Sequence, residues 1–200
     1  MTILSKLFSR DKRICPWWLA YSFDNPFRRF AHDPQAIFAT YLREGMTAID
    51  IGCGMGYFSR SMAKIVGESG TVIAVDVQQE MLDIARKRAE KDGVVGRIRF
   101  VRVKENDLLV TESVDFALAF WMVHEVNNTE KFFLQVRSIL KPAGTVLIAE
   151  PRMHVNRSRF EEMLSIATGT GFTIHDTRRI RFSRSVALRT LSCPTEPLLS

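Results

Sequence analysis

Cysteine is scarce in this chain: only Cys15, Cys53 and Cys193 occur among 200 residues. Their wide spacing excludes a disulfide framework and the paired ligand spacings of a zinc site. They read as reduced thiols, as in a cytoplasmic protein. Long apolar runs are missing too, and none approaches the ~18 residues that a membrane helix requires. Lys6, Arg10, Lys12 and Arg13 stand near the start, but no continuous apolar stretch follows them as a secretory leader would demand. The expectation is a soluble, cytoplasmic protein. Internal repeats and low-complexity tracts are also absent, which excludes solenoids and repeat arrays.

What remains is an ordinary globular balance, with 46% hydrophobic and 25% charged residues, enough for one domain with its own core. The net charge of +6 is unevenly placed. Residues 1–35 carry six basic and three acidic side chains and residues 151–200 carry eight and four, whereas 36–150 holds fourteen against fifteen. The excess therefore sits on the two ends. It is either a solvated basic surface or the rim of a mouth that attracts an anionic substrate or an acidic surface.

From about residue 46 short β-branched runs alternate with amphipathic stretches, the pattern of an α/β protein with a parallel sheet covered on both faces. Strands are expected at 47–51, 71–75, 98–101, 114–120 and 145–149. Helical spacing of Phe58, Met62, Ile65 and Val66 ends at Gly67, and Met81, Ala85 and Ala89 line a second helix beside Leu82. A further helix is expected to open at Asn127 with a capping-box-like Glu130, and another at Ser158 with Glu161. Residues 141–144 read as a stop and turn. Segments 172–174 and 185–189 follow one another with no helix between them, so they should pair antiparallel at the sheet edge.

The decisive stretch is Asp50-Ile51-Gly52-Cys53-Gly54-Met55-Gly56-Tyr57-Phe58. It joins a buried strand to an amphipathic helix, where open α/β sheets bind ligands. Glycines there let the backbone come close to a ligand, and the helix start presents free N–H groups. Asp76 closes the second strand twenty residues after Gly56, where a carboxylate can accept both hydroxyls of a ribose. A nucleoside-bearing ligand follows. A dinucleotide does not, because the fingerprint for one needs a small residue at position 57, where this chain has Tyr57.

Over residues 45–190 the chain resembles the class I methyltransferases that use S-adenosylmethionine, whose first motif is D/E-x-G-x-G-x-G. The resemblance implies a Rossmann-like, doubly wound seven-stranded sheet, mostly parallel with its last strand antiparallel. It implies S-adenosylmethionine as cofactor, with Gly52, Cys53 and Gly54 lining the methionine portion and Asp50 organising its amino group. Asp76 would hold the ribose, Val77 and Met81 would pack on the adenine, and Ala119 and Phe120 would close the methionine side. Near the adenine amino group the family often has an acidic residue. Lys104 stands there in this chain, with Glu105 and Asn106 as substitutes. Cys53 is expected to be a small loop residue and not a nucleophile.

Methyl transfer from a sulfonium is an in-line displacement, so positioning the acceptor matters most and a base is needed only if the acceptor loses a proton. His124, Glu150 and His154, all placed after strand ends, are the candidates. Residues 1–35 form an aromatic and basic extension (Trp17, Trp18, Tyr21, Phe23, Phe27 and Phe30), either a lid over the site or a segment docked on the sheet. Residues 36–192 would be the methyltransferase domain and 193–200 a tail. A small-molecule acceptor is favoured, since the chain has little room for an appended recognition domain. Small relatives of the quinone-pathway and arsenite types are the natural comparisons, and the scattered thiols disfavour the second. RNA or protein methylation through the basic ends, and cofactor binding without turnover, stay open.

Overall fold

The computed structural model describes residues 31–190, so the aromatic run and the last ten residues lie outside the described residues. The first element is a short helix α1 (Pro34–Phe38). Asp33 caps it, its Oδ1 accepting the Gln35 N–H at 3.1 Å, and Pro34 occupies the first turn, where its missing N–H costs nothing.

Strands β1 (Thr47–Ile51) and β2 (Thr71–Asp76) flank helix α2 (Tyr57–Val66), which stops at Gly67 as its φ turns positive. Helix α3 (Gln79–Lys91), strand β3 (Ile98–Arg102) and strand β4 (Val114–Phe120) follow. Then come α4 (Thr129–Ile139), β5 (Leu140–Pro151), α5 (Arg157–Gly169), β6 (Phe172–Asp176) and β7 (Ser183–Thr190). The sheet order is β3-β2-β1-β4-β5-β7-β6. The five strands β1 to β5 pair in parallel, and β7 runs antiparallel between β5 and β6. This is the seven-stranded Rossmann-like sheet expected above.

Successive side chains of a strand point to opposite faces, and the core splits accordingly. Ala48, Val72, Ala74, Phe116, Leu118, Phe120 and Leu147 pack with α1, α2 and α3. Ile49, Ile51, Ile73, Val75, Ala117, Ala119 and Ile148 pack with α4 and α5. Phe116 and Phe133 are fully buried, one in each layer, each contributing about 1.5–3 kcal/mol of transfer free energy.

Two helix starts differ from expectation. Asn128, not Asn127, caps α4, its side chain accepting the Lys131 N–H at 2.8 Å. Asn156, not Ser158, caps α5, accepting the Arg159 N–H at 2.9 Å. Both corrections have one cause: the cap is the residue left in extended backbone, and the preceding loop fixes which residue that is. The turn expected at 141–144 is an interruption of register within β5. Leu140 pairs with Val114, pairing resumes at Thr145 with Phe116, and Ala143 takes φ 64° between them.

Candidate functional site

The order of the sheet places β1 beside both β2 and β4, and successive connections diverge there to opposite sides. Such a switch point leaves a crevice at the carboxyl ends of the strands. Residues 52–56 cross it. Gly52 has φ 70°, and a Cβ on it would lie 3.0 Å from the Met122 side chain. Gly56 has φ 74°, and its Cβ would lie 2.8 Å from Ala85 Cβ. The third glycine therefore serves the close approach of α3. Gly54 differs, with φ 53° and, among the described residues other than its chain neighbours, no atom within 4 Å of where its Cβ would sit.

Asp76 holds the loop. Its Oδ2 accepts the Gly54 N–H at 2.9 Å and its Oδ1 accepts the Gln78 N–H at 2.9 Å. Burial raises its carboxyl above the usual carboxylate range, although hydrogen bonds from the Gln78, Gly54 and Val77 backbone pull it down. Asp50 lies deeper, against α2, where its Oδ2 accepts the Ser59 hydroxyl at 2.5 Å. Cys53 is buried, and burial together with the Asp50 and Asp76 charges raises its thiol well above the ordinary value. A thiol so shielded is a poor nucleophile.

Val77 is half-buried after β2, and Met81 lies buried in the first turn of α3. Glu105 is exposed at the turn after β3, and its Oε2 accepts the Asn127 Nδ2–H at 3.1 Å, tying that turn to the loop before α4. Ala119 is fully buried on the α4 side. The Phe120 ring turns to the α2 side, 4.5 Å from the Phe58 ring. So the expected residues converge on one edge, with Met81, Asp50 and Phe120 packed into the surrounding core.

Beyond β4 the chain makes a sharp bend. Trp121 takes φ 59°, a conformation costing about 1–3 kcal/mol outside glycine. Its N–H donates to Ala149 O at 2.7 Å, and its Nε1–H donates to Ser183 Oγ at 2.9 Å. The bend delivers Met122 against Gly52 and starts the 3-10 turn Val123–Glu125.

That turn carries His124 onto Glu150, the last residue but one of β5 and 1% exposed. Glu150 Oε1 accepts the Val123 N–H at 2.9 Å, and Oε2 accepts the His124 N–H at 3.3 Å and faces His124 Nδ1 at 2.6 Å. A carboxylate only accepts, so Nδ1 carries the proton and Nε2 is the basic nitrogen. Burial alone would lower the imidazole, but the Glu150 hydrogen bond and charge, with the charge of Glu125, outweigh it and raise His124 above the ordinary value. His154 stacks on His124 with ring centroids 5.7 Å apart. The three candidates named from sequence thus lie together at the crevice edge.

Sequence reasoning missed His32 and Trp121. His32 is 3% exposed, its ring packs edge-on against Phe120 and Trp121 at 5.0 Å, and its Nε2 lies 2.9 Å from Arg181 O. Asp33-Pro34 is a helix-start pair beside His32, but no local pattern predicts a contact spanning 149 residues.

Residues 42–167 match a family model described as a methyltransferase domain. The ubiquinone/menaquinone biosynthesis C-methyltransferase UbiE of Haemophilus ducreyi is 28% identical over 133 residues, covering 66% of this chain and 49% of that one. The UbiE of Citrobacter koseri is 26% identical over the same length, 66% of this chain and 51% of that one. The chain thus spans about half the length of the curated relatives it matches. A SAM-dependent methyltransferase structure from Aquifex aeolicus aligns with TM-score 0.76 at 24% identity, over 88% of this chain and 97% of that one.

Proposed function

The chain belongs to the methyltransferase domain family, and from that premise we propose that it transfers the methyl group of S-adenosylmethionine to a small-molecule acceptor. The observation that carries the reading is the pairing of Gly54 with Asp76. A glycine with open space, among the described residues, where its side chain would be, and hydrogen-bonded to a buried carboxylate at the next strand end, fits a nucleoside lying across the strand tips. In this reading Asp76 accepts the ribose hydroxyls while the bare backbone of 52–54 lies along the methionine portion. Asp50, Val77, Met81, Glu105, Ala119 and Phe120 build the walls.

S-adenosylmethionine, when bound, supplies a methyl carbon on a sulfonium that leaves as a neutral thioether without acid assistance. The protein's share is to hold the acceptor in line with that carbon and to take up its proton. His124 Nε2 is the proton acceptor, and Glu150 positions the ring and stabilises the imidazolium formed. The UbiE relatives are named C-methyltransferases of quinone biosynthesis. Methylation at carbon forms a new C–C bond, breaks the S–C bond and releases an acceptor proton, so a base has work to do. That likeness supports a carbon acceptor in this chain.

The test is incubation with methyl-labelled S-adenosylmethionine and fractionated cell extract, followed by identification of the labelled fraction. Label in an organic-soluble, low-molecular-mass fraction is expected. Label confined to RNA or protein would overturn the small-molecule reading, and cofactor binding with no labelled fraction would overturn the catalytic one.

A further inference from the structure

Among the described residues five large apolar side chains are exposed, and two of them share one corner of the molecule: Met153, 93% exposed, and Phe182, 57% exposed. The Arg152 N–H donates to Phe182 O at 3.0 Å, and Pro151 pairs with Ser183 across β5 and β7. Met153 is therefore at the tip of the turn after β5, beside the turn that enters β7. Phe182 has φ 60° in a turn closed by the Ser183 N–H on Ile180 O. An exposed turn position of that kind ordinarily takes Gly or Asn, and a bulky aromatic there costs about 1–3 kcal/mol. The protein holds a ring out in water at the expense of backbone strain.

Arginines stand close to the two tips in space or in sequence. Arg181 lies 5.0 Å over the Phe182 ring, Arg152 Nε donates to Ser183 O, Arg184 Nε donates to Val155 O, and Arg179 stands three residues before Phe182. None of these four has an ion-pair partner among the described residues. No acidic residue occurs at 151–155 or 177–185. Asp33 lines the cleft that Arg179 and Arg181 also line, yet against these arginines the corner keeps an excess of positive charge, and apolar tips within that excess fit the boundary between hydrocarbon and anionic headgroups. An RNA would use the charge but would leave Met153 without a partner.

We infer that this corner is a docking surface for an anionic phospholipid bilayer. Among the described residues no helix is long and apolar enough to cross a membrane, so the contact is peripheral. It also adjoins the candidate site. His154, next to Met153, stacks on His124, and Trp121 is bonded to Ser183, next to Phe182. A bilayer against this corner presents a hydrocarbon-soluble acceptor to the His124–Glu150 pair, a consequence that rests on the methyl-transfer reading.

Co-sedimentation of the full chain with vesicles tests the docking. Vesicles of phosphatidylcholine with about one third phosphatidylglycerol should bind it, and phosphatidylcholine alone should not. The double substitution Met153→Ser with Phe182→Ser should weaken binding on the order of tenfold. Arg179→Gln with Arg181→Gln should weaken it roughly thirtyfold, at about 1 kcal/mol for each cation. Both variants should keep the unaltered thermal midpoint and S-adenosylhomocysteine affinity, read by calorimetry. The inference is overturned by equal binding to neutral and anionic vesicles, by Met153→Ser with Phe182→Ser binding as tightly as the unaltered chain, or by binding of an RNA oligonucleotide where vesicles are not bound. Failure of S-adenosylhomocysteine to bind the unaltered chain would instead count against the methyl-transfer reading, whatever the vesicles do.

Discussion

His124 Nδ1 lies 2.6 Å from Glu150 Oε2, although 26 residues separate the two in sequence. The same carboxylate also receives the backbone N–H groups of Val123 and His124. It therefore fixes the turn, the ring orientation and the tautomer together, leaving Nε2 as the nitrogen able to take a proton.

The first prediction concerns that nitrogen. His124→Gln should lower kcat by about 10²–10⁴-fold, the usual worth of a positioned general base, with S-adenosylhomocysteine affinity unchanged. Single-turnover rates with the labelled acceptor and calorimetry with the cofactor product check the two halves. An unchanged kcat would remove His124 from the chemistry.

The second is a pH dependence. A base held above the ordinary imidazole value is still protonated where a free histidine is not, so the rate should rise with pH at a point above that of free histidine. Glu150→Gln should move this limb to lower pH while reducing kcat, because the charge that retains the proton is gone. A pH profile that stays in place in the variant would contradict the coupling.

Stability carries the opposite sign. Since the folded-state value of His124 is raised, its stabilisation is fully present below the unfolded value and is lost as pH rises through the folded one. Urea unfolding across that window should show the unaltered chain losing stability with rising pH more steeply than His124→Gln.

The glycine loop makes a contrasting pair. Gly56→Ala places a Cβ 2.8 Å from Ala85 Cβ at φ 74°, and should lower stability by about 1–3 kcal/mol. Gly54→Ala meets no atom of the described residues within 4 Å beyond its chain neighbours, so it should cost only about 1–2 kcal/mol from its left-handed backbone while weakening S-adenosylmethionine binding more than Gly56→Ala does. Thermal unfolding and calorimetry on both variants decide it.

Asp76→Ala should weaken S-adenosylmethionine binding at least about tenfold, or 1.4 kcal/mol. Unchanged affinity in a folded variant would dislodge the ribose reading.

Local pattern reached far into this fold. The apolar runs at 47–51, 71–75 and 114–120 announce buried strands because parallel strands bury both faces. Asp76 was legible because it closes such a run at a set distance after the glycine loop. The cap residues Asn128 and Asn156 were missed by one and two positions, since neighbouring polar residues offer the same capping chemistry and the loop's path selects among them.

Sequence alone therefore determined the order of elements and the position of the glycine loop and Asp76 at the strand ends, because each depends on periodicity and on glycine within a few residues. Only the tertiary structure decided that His124 meets Glu150, that His32 packs on Trp121, and that Met153 and Phe182 share a corner. The first and third of those contacts depend on the register of β4 against β5 and of β5 against β7, and the second on how the segment before α1 docks against the turn after β4. Register is a property of paired strands: a one-residue slip would turn Glu150 to the other face of the sheet and carry the turns that follow β4 and β5 out of reach of their partners.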